Sequence, residues 1–111
     1  MLRASRLTLS ALSATAVIAL SGGASLGCGG VMYTARINSV EGKVEAAKEV
    51  QAEQFAPYYY YSAKERVQKA KEEAARADYG DALDLLDEAE NDALKAIEQA
   101  EAVRKGAGGA K

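Results

Sequence analysis

The chain has 111 residues, 49% of them apolar and 27% charged, with a formal net charge of −2, one cysteine, and neither histidine nor tryptophan. That length allows one domain, and the missing histidine removes the usual acid/base near neutral pH and the commonest metal ligand. No basic stripe is present that could follow a phosphate backbone, which excludes nucleic acid as a partner.

Residues 1–27 have the zones of an export signal. Arg3 and Arg6 mark the cytoplasmic end, an apolar stretch diluted with Ser and Thr covers residues 7–20, and small polar residues follow. A spanning helix needs about 20 apolar residues, more than this stretch supplies; a weak membrane anchor is the alternative reading. Setting Arg3 and Arg6 aside leaves 12 basic residues against 16 acidic ones, a net charge of about −4.

The run Ala24, Ser25, Leu26, Gly27, Cys28 resembles a bacterial lipobox. The chemistry asks for small residues before a cysteine whose thiol takes a diacylglycerol group. Gly27 fits the position before the cut, whereas Leu26 stands one place later than the usual leucine. Cys28 has no internal disulfide partner, so the choice lies between an acylated and a free or intermolecular cysteine. Acylation is expected, with the covalent lipid as the only added group. Gly29 is not the aspartate that retains enteric lipoproteins in the inner membrane, which points to the outer membrane and its periplasmic face. Residues 28–37 are expected to form a lipidated tether.

The helical domain is expected over residues 38–104, all-α, as a three-helix unit. Asn38 and Glu41 have capping-box spacing, and Val40, Val44, Ala47 and Val50 or Gln51 predict a helix over about 39–55. Pro57 ends that helix and suits the first position of the next. The second helix, about 57–78, carries Ala63, Val67, Ala70, Ala74 and Ala77 in a 4-3-4-3 seam, with ion pairs four residues apart such as Lys69 with Glu73. Gly80 is the predicted helix stop and Asp81 the cap of the third helix. That helix, about 82–104, has Ala82, Leu86, Ala89, Ala93, Ile97 or Ala96, Ala100 and Val103 in register, with Leu83 and Leu94 beside them. Its acidic face, including Asp84, Asp87, Glu88, Glu90, Asp92, Glu98 and Glu101, reads as solvated, because carboxylates spread along a helix do not converge on a cation. Residues 105–111 read as a flexible tail.

Helices two and three predict an antiparallel hairpin of tetratricopeptide type. Alanine seams bury few methylenes, so the core is thin and the protein is expected to self-associate or to dock on a protein partner.

From Phe55 to Val103 the chain resembles the bacterial family called domain of unknown function four-three-nine-eight. Phe55-Ala56-Pro57, then Ala63, Lys64 and Ala70, then Ala77-Asp78-Tyr79 with Ala82 carry the resemblance. Ala77 stands where the family often has glycine. The resemblance implies an alanine-rich helical hairpin of an envelope lipoprotein, in some members fused to an OmpA-like peptidoglycan-binding domain, and it supplies no catalytic residue.

Tyr58, Tyr59, Tyr60 and Tyr61 circle a helix, since successive residues turn by about 100°. They form either an aromatic binding surface for glycan or a partner, or a set in which one or two pack inward. Nothing pairs a nucleophile with a base, so an enzyme is not expected. The expected function is that of a lipid-anchored periplasmic structural or interaction protein, an adaptor or accessory subunit of an envelope complex. The alternative is a peptidoglycan- or glycan-binding module that uses the tyrosine run.

Overall fold

The computed structural model describes residues 27–109; residues 1–26, which carry most of the expected export signal, lie outside the described residues. Four helices follow one another: α1 (Gly27–Glu49), α2 (Ala52–Phe55), α3 (Pro57–Ala75) and α4 (Tyr79–Gly109), with no strand among the described residues. The fold is all-α, as the composition implies.

The helices begin and end where local backbone chemistry dictates, and several of these places differ from the sequence reading. The first helix starts at Gly27 rather than after Asn38, so residues 28–37 are helical and Asn38 lies mid-helix, without a capping box. The reason is tertiary. Ile37 is buried at 8% exposure in the core, and Tyr33 packs on Tyr79 with ring centroids 6.0 Å apart. These contacts hold turns that local propensity alone would leave open. The helix ends at Glu49, well before Pro57, because Gln51 adopts a left-handed conformation with φ 63°. A single turn, α2, then leads to Ala56, whose backbone leaves helical geometry at φ −140° and ψ 54°, and Pro57 opens α3 at its first position. The last helix persists to Gly109, so residues 105–109 are helical rather than a loose tail.

The turn between α3 and α4 closes with a Schellman motif. The Asp78 amide donates to the Glu73 carbonyl at 2.9 Å, and the Ala77 amide donates to the Ala74 carbonyl at 2.9 Å. The left-handed residue is therefore Ala77, at φ 62°, and Gly80 lies inside α4 instead of stopping α3. Asp78, not Asp81, caps α4: its Oδ1 accepts from the Asp81 amide at 3.5 Å. A left-handed L-residue costs roughly 1–2 kcal/mol that glycine avoids, part of which glycine returns in unfolded-state entropy. Ala77→Gly is accordingly expected to raise stability by roughly 0.5–1 kcal/mol, read as a higher urea midpoint with an unchanged slope.

Side-chain pairs fix the topology. Arg66 reaches Glu88 and Asp92, and the Gln99 amide reaches the Phe55 carbonyl, so α3 and α4 run antiparallel. Gly29 and Tyr33 meet Tyr79, while Arg36 and Lys43 meet Glu90, so α1 runs parallel to α4. It follows that α1 is antiparallel to α3, with Glu41 and Lys71 paired between them. One end of the bundle thus carries the start of α1 and the α3–α4 turn. The other carries α2, the start of α3 and the later turns of α4.

The core is made of two clusters. Ile37, Val40, Val67, Ala70, Ala82, Leu86 and Ala89 form one, near the α3–α4 turn. Ala47, Ala52, Ala56, Tyr60, Ala96 and Ala100 form the other, near α2. Ten of the fifteen buried apolar residues are alanines, so the helices approach closely around few large side chains. Leu86 and Val40 are the largest that are fully buried. The inward seam of α4 outruns its neighbours: Ala100 is fully buried, yet every residue from 101 to 107 is exposed.

Candidate functional site

The functional residues read from the sequence fall at opposite ends of this bundle. Cys28 is exposed in the first turn of α1, with its thiol free. The two glycines that follow it are packing positions: a Cβ at Gly29 would lie 3.0 Å from Tyr79 Cδ2, and Gly30 also faces that ring. The tyrosine run opens α3 at the far end, about 26 Å away along that helix at 1.5 Å per residue.

The four tyrosines divide by depth. Tyr60 is buried at 3% exposure among the alanines of α1, α2 and α4. Tyr59 is half-buried with Lys95 over its ring at 5.7 Å, a cation–π distance, and its ring meets that of Tyr58 edge-on at 5.1 Å. Tyr58 is 76% exposed and Tyr61 47%. The Tyr61 hydroxyl donates to Glu53 at 3.0 Å, and this bond raises its pKa above the ordinary value. Pro57, Tyr58, Tyr61, Ser62 and Glu65 line a shallow depression there. Only Tyr58 and Tyr61 of the run are therefore available as a surface.

The acidic face of α4 is not simply solvated. Arg36 bonds both Asp87 and Glu90, the latter at 2.6 Å, and Lys43 also bonds Glu90. Across the other flank, Asp92 is nearly buried and accepts from Ser62 Oγ at 2.6 Å and Arg66 at 2.9 Å. These carboxylates tie α4 to both neighbours. Within one helix nothing reveals the pairing, because Arg36, Lys43 and Arg66 stand on other helices. A second acidic group, Glu73, Asp78 and Asp81, sits at the α3–α4 turn. Two of its three members are engaged there: Asp78 caps α4, and Glu73 is paired with Lys69 and Arg76.

Lys43 first, then Arg36, hold the Glu90 carboxyl below its ordinary value of 4.5. A depressed folded value contributes stability that is present above the unfolded value and lost as pH falls. Acid unfolding is thus expected to set in as pH drops below about 4.5, with Glu90→Gln flattening that limb of the stability curve. A thermal-melt series across acid pH checks it, and an unchanged limb in the variant would contradict it.

Between α1 and α3 runs an open groove with Val44 and Val67 on its floor and Glu41, Glu45, Lys64 and Lys71 on its rims. The α1 rim is acidic and the α3 rim basic, and Glu41 and Lys71 are already paired across the groove.

A family model described as "Domain of unknown function (DUF4398)" matches residues 35–107, from the third turn of α1 through most of α4. No curated protein and no solved structure matches the chain.

Proposed function

Because the chain belongs to the DUF4398 family, a description that assigns no activity, we propose a function from the layout of the bundle: a lipid-anchored envelope protein that holds a rigid helical domain at a membrane surface for a partner to grip. The observation that carries this reading is the position of Cys28. The lipobox-like run ends at a cysteine that is exposed in the first turn of a continuous helix. A lipid on that thiol transmits its position directly to the domain, without a slack linker. No helix among the described residues is long and apolar enough to cross a membrane, and stable attachment generally takes more than one lipid chain. Gly29 after the cysteine favours the outer membrane and its periplasmic face.

The partner in this reading is a protein of an envelope complex or a second copy of the chain, which the thin alanine core and the uncovered end of α4 make welcome. A second reading draws on Tyr58 and Tyr61. They stand at the end farthest from the anchor, where a membrane-held domain faces the cell wall, and aromatic rings bearing hydroxyls suit sugar faces. Co-sedimentation with purified peptidoglycan separates the two: retention of the wild type and loss in a Tyr58→Ala, Tyr61→Ala double variant favours glycan binding.

The anchor is tested by feeding cells a fatty-acid label. Wild type is expected to take it up and to run as the shorter, mature form. Cys28→Ser is expected to take up none and to accumulate as the longer precursor, since cleavage follows acylation. Equal labelling of the two proteins would overturn the anchor.

A further inference from the structure

We infer that the first two turns of α1 enter the membrane–water interface themselves, with Val31 and Met32 beside the lipid on Cys28, an inference that rests on the lipid-anchored reading above. Cys28, Val31, Met32 and Ala35 lie at i, i+3, i+4 and i+7 and so share one face of the helix. All four are exposed, Val31 at 69% and Met32 at 60%. Neighbours three or four apart on a helix have Cβ atoms about 5–6 Å apart, so an acyl group on Sγ lies directly against these two side chains.

Nothing else in the described bundle covers this face. Tyr79, the first residue of α4, packs on Gly29, Gly30 and Tyr33, which point the other way around the helix. Single exposed apolar residues are ordinary on a protein surface. Here two large ones are consecutive, they share the face of the acylated cysteine, and no charge interrupts that face. Arg36, the nearest cation on α1, is drawn away to Asp87 and Glu90 of α4. At the same end the half-buried Tyr33 and Tyr79 form a ring pair, a residue type suited to the headgroup level. The lipid and the helix face together give the domain a fixed stance, where a lipid alone would let it swivel.

The chain contains no tryptophan, so single tryptophans are unambiguous probes. Val31→Trp, Met32→Trp and Tyr58→Trp, each in the full chain, are purified from membranes in acylated form. They are then reconstituted in phosphatidylethanolamine/phosphatidylglycerol vesicles carrying a headgroup-region spin label. The tryptophans at 31 and 32 are expected to shift to the blue and to lose most of their emission to the label, while the one at 58 keeps its emission. An acylated protein, verified by mass, whose tryptophans at 31 and 32 are as unquenched as that at 58 would overturn the inference and leave the anchor standing. Unquenched tryptophans with a cross-linked dimer in the same vesicles would overturn it in favour of a second copy on this face. A membrane extract without acyl mass would overturn the anchor, and the inference with it.

Discussion

Tyr60→Ala is expected to lose about 3–5 kcal/mol of stability, whereas Tyr58→Ala and Tyr61→Ala are expected to stay within about 0.5 kcal/mol of wild type. Tyr60 is the one large side chain in the cluster formed by Ala47, Ala52, Ala56, Ala96 and Ala100. Removing it leaves a cavity walled mainly by alanine methyl groups, with the half-buried Phe55, Tyr59 and Ile97 at its edge. The bundle of residues 27–109 is stabilised by about 4–12 kcal/mol in all, at about 0.05–0.15 kcal/mol per residue, so this loss consumes much or all of it. Circular dichroism during urea unfolding reads the difference. A Tyr60→Ala protein as stable as wild type would mean that the far cluster does not hold α2 and the start of α3 in place. The same contrast governs any binding experiment on the run: replacing all four tyrosines unfolds this end, so only Tyr58 and Tyr61 report on a ligand.

Leu86→Ala is expected to cost about 2–5 kcal/mol. Leu86 is fully buried and sits in the cluster with Ile37, Val40, Val67, Ala70, Ala82 and Ala89, where α1, α3 and α4 meet. Leu94, on the same helix but 48% exposed, supplies the control, because Leu94→Ala removes little buried surface. Thermal melts of the two variants are expected to differ by many degrees, and equal melting temperatures would contradict the packing of α4 described above.

Much of this packing is legible in the sequence. Ala63, Val67 and Ala70 on one helix, with Ala82, Leu86, Ala89 and Ala93 on the next, repeat at 3–4 spacing and are all buried. That repeat also held an unread signal: continued toward the amino end it passes through Tyr60 and Ala56, which singles out the buried member of the tyrosine run. Other features lie beyond any local rule. The Asn38–Glu41 spacing mimics a cap, yet the helix runs through it because Tyr33 and Ile37 are held by α3 and α4. Gly80 is the residue that a left-handed stop prefers, but the hydrogen bonds closing the turn fall on Ala77. Gln51 bears no mark of its left-handed backbone. The carboxylates of α4 look solvated until Arg36, Lys43 and Arg66 are brought up from other helices. In each case the deciding partner is remote in sequence.

For function, the proposed lipid attachment is read from the sequence, and the proposed stance from the start of α1. Cys28 and its preceding residues read as a lipid-attachment site, and α1 shows that this cysteine is the first turn of a stiff element instead of the end of a loose tether. The intact mass of the protein extracted from membranes tests this account most directly. A species that begins at Cys28 and carries added acyl mass is the predicted result. A free thiol at Cys28, or a chain that retains residues 1–27, would contradict it.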